Sequence, residues 1–194
     1  MVLILTAAAR TAAAWKNGGG VTREVAVHPA GSDLGSFEWR VSIAQVHRGG
    51  PFSVFPGVDR HMAVLAGRLA FAIEGRTLSL TPDSAPLAFG GELPVHAQPD
   101  GATATDLNIM VRRGRWRARL TRCGVAEARV VALAADTTIL IALAPLSVMA
   151  QGTRCDMAPL DALRLEDVAQ CEVSAAAAPG GDDAFYLAGI SRAR

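Results

Sequence analysis

Met62-Ala63-Val64-Leu65-Ala66, Gly67-Arg68, Leu69-Ala70-Phe71-Ala72-Ile73, Glu74-Gly75-Arg76: two apolar runs of strand length, each followed by a short glycine-bearing break. Runs this short cannot make a stable helix, and breaks at this spacing favour strands. Gly67-Arg68 reads as a tight hairpin turn and Glu74-Gly75-Arg76 as a second. The same texture continues in both directions, at Glu24 to Val27, Trp39 to Gln45 and Leu107 to Val111. A second apolar block starts near Val125, with strand-like runs at Val130 to Leu133, Thr138 to Leu143, Leu160 to Glu166 and Ala184 to Ile190. Ser174 to Asp183, made mostly of Ala, Pro, Gly and Asp, reads as a flexible loop. Helix is the competing reading at Thr6 to Trp15 and Ala162 to Gln170, where alanine and leucine are frequent. Many short strands without an alternating helical pattern predict an all-β sandwich or barrel with little helix.

The chain has 194 residues, 51% of them apolar and 19% charged, with a formal net charge of +1. That much apolar surface offsets the entropy of ordering, which excludes a disordered chain. Near-neutral charge removes the broad positive field used in nonspecific nucleic-acid binding. The one basic run, Arg112 to Arg119, holds five arginines; it reads as an exposed strand or turn, and no nucleic-acid partner is expected. Cys123, Cys155 and Cys171 are an odd set without metal-ligand spacing, which fits a reducing compartment. No basic region precedes the apolar start, Arg10 interrupts the alanines that follow, and no uninterrupted apolar stretch is of membrane-spanning length. A cytoplasmic protein with no membrane partner is expected.

Candidate binding residues emerge from strand alternation. Arg40 and Ser42 share one face of their strand. Asp59 and Arg60 follow Phe55, and either Asp59 beside Arg60 or Glu24 beside Arg23 would supply the pairing that a buried arginine needs. An internal salt bridge and a fork holding a ligand carboxylate are both open for each arginine. Lys16-Asn17-Gly18-Gly19-Gly20-Val21-Thr22 reads either as a tight strand crossing or as a pocket rim whose amides approach an anion. It matches no nucleotide-binding fingerprint. No serine has a sequence-evident base partner, and Cys123, beside Arg122, is read as structural.

Five stretches together resemble one family. They are Trp15 to Glu24, Phe37 to Ala44, Gly50 to Arg60, Phe89-Gly90-Gly91-Glu92, and Asp106 to Met110 followed by Arg112-Arg113. In order and spacing they are similar to the HutD/Ves family. That resemblance implies a bicupin, two fused cupin-type β-barrels or jelly rolls, with one barrel over residues 1–114 and the other over 115–194. It also implies a link to histidine utilisation. The cupin second motif resembles Pro-x-Gly-x-x-His-x-x-x-Asn; Pro99, Gly101 and Asn108 keep this spacing, but Ala104 stands where the histidine would be. Between Gly50 and Gly67 only His61 and Asp59 are candidate ligands, and His28, His47 and His96 lie apart. No metal and no other cofactor is therefore expected.

The favoured reading is a binder of a small carboxylate metabolite, such as urocanate or an N-formylated glutamate. Its site would draw on Lys16, Asn17, Thr22, Arg40, Ser42, Ser53, Phe55, Asp59, Arg60 and Asn108. The alternative is a metal-independent isomerase or hydrolase acting on a similar acid, with Asp59 or Glu24 as acid or base. A third reading is an interaction protein whose C-terminal strands form a homodimer surface.

Overall fold

A computed structural model describes residues 1–124, 129–175 and 184–194. It divides into two compact units, Thr11–Arg117 and Met1–Arg10 together with Ala118–Arg194. The chain runs through β1 (Val2–Leu5), a 3-10 turn (Ala7–Ala9), β2 (Ala12–Ala14), β3 (Gly20–His28), β4 (Trp39–Val46), β5 (Gly50–Pro51), β6 (Val58–Ala66), β7 (Leu69–Ile73), β8 (Arg76–Leu80), β9 (Leu87–Gly90), β10 (Val95–Pro99) and β11 (Ala104–Arg112). β12 (Trp116–Gly124), β13 (Arg129–Ala132), β14 (Thr137–Ala142), β15 (Leu146–Ala150), β16 (Thr153–Met157), β17 (Ala162–Glu166), β18 (Gln170–Ala175) and β19 (Ala184–Arg192) complete it.

In the first unit a six-stranded sheet, β2-β3-β4-β11-β6-β9, is paired with a four-stranded one, β5-β10-β7-β8. The second unit has a five-stranded sheet, β1-β17-β14-β19-β12, and a four-stranded one, β13-β18-β15-β16. Sequence-distant strands lie side by side, as with β4 beside β11 and β14 beside β19, so the connections cross over as in Greek-key folds. These are four separate sheets, not closed barrels. The first ten residues pack with the C-terminal chain and not with a barrel over residues 1–114, because β1 pairs in register with β17.

Glu74 and Gly75, both at positive φ, close the β7–β8 hairpin as expected. Gly67-Arg68 is different. β6 pairs with β11 and β9, whereas β7 pairs with β10 and β8. The Gly67-Arg68 step is thus a corner where the chain leaves one sheet for the other, not a hairpin. Gly67 sits at φ +75, and a Cβ there would lie 2.5 Å from the Thr103 carbonyl oxygen. Neither helical alternative forms: Ala7–Ala9 is one 3-10 turn, and Ala162–Glu166 is a strand. Val125 and most of the expected 174–183 loop lie outside the described residues.

Met62, Val64, Val46 and Ala104 from the six-stranded sheet meet Leu69, Phe71, Leu80, Val95 and Ala97 from the four-stranded one. Complete burial of Leu69 or Phe71 contributes about 2 kcal/mol each. This packing fixes which side of the large sheet faces inward, and so fixes the site. Among the described residues no helix is long and apolar enough to cross a membrane.

Candidate functional site

Three register rows bring polar side chains onto that inward face. Met110 of β11 stands between Arg40 on β4 and Arg60 on β6. One step along, Asn108 stands between Ser42 and Met62, with Glu24 beyond Ser42 on β3. In the next row Asp106 stands between Ala44 and Val64. Because side chains alternate along a strand, Asp106, Asn108 and Met110 project to the side that Met62 and Val64 occupy.

These groups are deeply buried: Arg60 is 5% exposed, Asp106 2%, Asn108 8% and Ser42 3%. Arg40 donates from Nε to Glu24 Oε2 at 2.8 Å and from Nη1 to Ser42 Oγ at 3.3 Å. Arg60 has no such carboxylate partner. Its Nη1 reaches only the Ser53 carbonyl oxygen, at 3.5 Å, and its Nε has no hydrogen-bond partner. Aromatic rings surround it instead, Phe52 and Phe89 at 5.1 Å and Phe55 at 6.0 Å from the guanidinium carbon. Ring faces offset part of the desolvation cost and leave the fork's edge for an anion.

Asp106 Oδ2 and Asn108 Oδ1 are likewise buried without a hydrogen-bond partner. Burial pushes the Asp106 carboxyl up to about 7, with the Arg60 cation pulling it back down. Burial lowers Arg60 to about 10, with Asp106 opposing and Arg40 adding to the shift. The guanidinium stays cationic at neutral pH. Buried polar atoms are normally satisfied, so three orphans on adjacent rows point to a function.

Of the residues expected from sequence, Arg40, Ser42, Arg60 and Asn108 converge on this face, with the Phe55 ring and the Ser53 carbonyl beside Arg60. Asp59 does not join them. Arg113 Nε donates to its Oδ1 at 2.6 Å, and the same guanidinium binds Glu92 at 2.9 Å. Adjacent strand residues face opposite ways, so Asp59 could not pair with Arg60. Nor does Glu24 partner Arg23; Arg23 donates to Gln45 instead.

The glycine loop is a tight crossing. A Cβ on Gly20 would lie 2.4 Å from the Gln45 carbonyl oxygen and 3.3 Å from the Trp15 ring. Its amides are committed internally, Gly18 N–H to the Trp15 carbonyl and Gly19 N–H to Asn17 Oδ1. Thr22 shares the inward face, but its hydroxyl accepts from Trp15 Nε1 at 2.8 Å. Lys16 is exposed.

Asp106 is the residue that sequence reasoning missed as a site group. The signal was present, since Asp106 and Asn108 alternate on one strand as Arg40 and Ser42 do. Phe52 and Phe89 pack against the apolar cluster and also flank the Arg60 cation. The arginine run is a turn leading into β12, with Arg113, Arg115, Arg117 and Arg119 exposed. Arg112 donates to the Phe37 carbonyl at 2.9 Å, and Arg115 lies 2.7 Å from Glu38. His28 ends β3 and stacks on Trp39. Burial shifts the Cys123 thiol upward, with the Arg129 cation opposing.

The inward donors do not suit a divalent metal. Among the described residues no three His, Cys, Asp or Glu side chains gather. Ala104, at the cupin histidine position, is 1% exposed and packed into the apolar core.

A model of one protein family, HutD, matches residues 7–180 of the chain. The chain belongs to the HutD family. An uncharacterised 21.2 kDa protein from the hutC 3' region of Pseudomonas putida is 34% identical over 160 residues, spanning 78% of this chain and 80% of its own length. Protein Ves of Cronobacter sakazakii is 40% identical over 108 residues, 55% of this chain, and the match spans only 58% of Ves. HutD from Pseudomonas fluorescens SBW25 superposes with a TM-score of 0.83 at 25% identity, covering both chains completely. A cupin 2 conserved barrel domain protein from Leptotrichia buccalis, 9% identical with a TM-score of 0.55 over 90% of this chain and 89% of its own, shares the fold alone. The HutD fold is thus a cupin-like all-β fold.

Proposed function

We propose that this HutD-family chain is a metal-free bicupin that binds a small carboxylate metabolite at Arg60, in the cytoplasm and in the setting of histidine breakdown. One observation carries the reading: a buried guanidinium with an unpartnered Nε, ringed by three aromatics and with no carboxylate hydrogen-bonded to it among the described residues. A carboxylate ligand would complete the fork-shaped pairing that the fold leaves open. The hutC-region location named for the Pseudomonas putida relative supports histidine utilisation as the source. Urocanate and N-formylglutamate are the representative ligands, and the role is regulatory binding.

Isothermal calorimetry with both acids tests this. Micromolar to low-millimolar binding is expected, lost by at least tenfold in Arg60→Met and unchanged within twofold in Asp59→Asn. Absence of binding at millimolar concentration, or binding indifferent to Arg60, would overturn it.

Asp106 favours a second reading, metal-independent acid–base catalysis on a similar acid. A buried carboxyl at about 7 beside a cation suits proton transfer at neutral pH. Turnover of a bound acid, lost in Asp106→Asn with binding retained, would establish it; binding without turnover rules it out.

A further inference from the structure

The three orphaned atoms differ in polarity, and that difference specifies a ligand. Arg60 Nε is a donor without an acceptor, whereas Asn108 Oδ1 and Asp106 Oδ2 are acceptors without donors. All belong to side chains at least nine-tenths buried on one face of one sheet. Their order is fixed by strand register: Arg60 in the Met110 row, then Asn108, then Asp106. Each step is two residues, about 7 Å along the strand. The site therefore changes from a hydrogen-bond donor to acceptors along the β6–β11 seam.

We infer that the ligand is amphoteric, with a carboxylate received by Arg60 and an N–H donor, several bonds away, received by Asn108 and Asp106. This rests on the proposed binding of a carboxylate at Arg60 and narrows it. A plain dicarboxylate would set its second anion against two oxygen acceptors. A heteroaromatic or aliphatic acid with one N–H group satisfies all three atoms at once. Leaving a buried acceptor unpaired is costly, so sites of this kind reject analogues that merely lack the donor. Charged neighbours reinforce the polarity. Arg40 on β4 adds a second cation at the carboxylate end, while its partner Glu24 on β3 is tied to it.

Two acids of matched shape test the idea, urocanate, which carries a ring N–H, and 3-furylacrylate, in which ring oxygen replaces it. Calorimetry on the full chain is expected to show urocanate at least tenfold tighter. In Asn108→Leu the preference is expected to fall below threefold, because the acceptor is gone while the Arg60 end is intact. The wild-type comparison needs no substitution, and a general preference for the imidazole ring would not respond to Asn108→Leu. Equal affinities within twofold, or a preference unchanged in Asn108→Leu, overturn the inference. Should both acids bind through Arg60 with no preference, carboxylate binding stands and only the amphoteric class fails. If neither acid binds, both are overturned.

Discussion

Both units set a larger sheet against a four-stranded one, yet their cores differ in kind. The second unit is filled by Leu140, Leu146, Val148, Leu163, Leu165, Val173 and Phe185, all at most 1% exposed. Two surface depressions of this unit, of about 160 and 390 Å³, lie beside Met149 and Glu172 and are lined by no buried charge among the described residues. In the first unit the apolar cluster shares its space with Arg60, Asp106, Asn108 and Ser42. A buried charge without a hydrogen-bonded partner stabilises nothing by itself. The second unit buries polar groups too, but Asp161 there accepts from the Ala7 and Ala158 amides. Arg60 Nε, Asp106 Oδ2 and Asn108 Oδ1 of the first unit, by contrast, have no hydrogen-bond partner; under the proposed function a ligand would satisfy them.

The largest expected effects test that contrast directly. Phe185→Ala should destabilise the protein by about 3–5 kcal/mol in urea titration, as expected for an aromatic removed from a fully packed core. Arg60→Met, which keeps an unbranched chain among Phe52, Phe55 and Phe89, should lie within about 1 kcal/mol of wild type or above it. If Arg60→Met costs as much as Phe185→Ala, the first interior is a structural core like the second.

Gly20→Ala comes next. Its methyl would press on the Gln45 carbonyl oxygen at the β3–β4 crossing, where backbone must shift. A loss of about 1–3 kcal/mol is expected, read as a lower urea midpoint. A neutral result would reopen the glycine loop as an adaptable rim instead of a fixed crossing.

The smallest effect is a pH dependence. Asp106 is raised to about 7 in the folded state, so between roughly pH 4 and 7 the native protein holds a proton the unfolded chain has released. Stability from this group is therefore greatest below that window and declines as pH rises through 7. His61, lowered by burial, acts in the opposite direction around its ordinary range, so the comparison must be against a variant. Relative to Asp106→Asn, wild type should lose melting temperature between pH 5 and pH 8. Parallel profiles would place Asp106 in an environment no different from solvent.

Much of the site was legible in the sequence. Alternation set Arg40 with Ser42, and the same rule sets Asp106 with Asn108 and sends Asp59 away from Arg60. The family stretches carried the cupin-like fold. What the chain itself determined was relative sidedness, strand length and the glycine breaks, because these follow from backbone sterics and a period of two. Which side faces the interior was not determined, since β4 and β11 are buried on both faces. Their polar pairs, Arg40 with Ser42 and Asp106 with Asn108, point into the protein, where a polar stripe ordinarily marks the solvent side. Only the tertiary structure decided that Gly67 turns a corner between sheets, that β1 joins the C-terminal unit, and that Asp59 belongs to Arg113 while Arg60 is left open. Those outcomes depend on pairing between strands distant in sequence, where register and packing choose among partners that local pattern leaves equivalent.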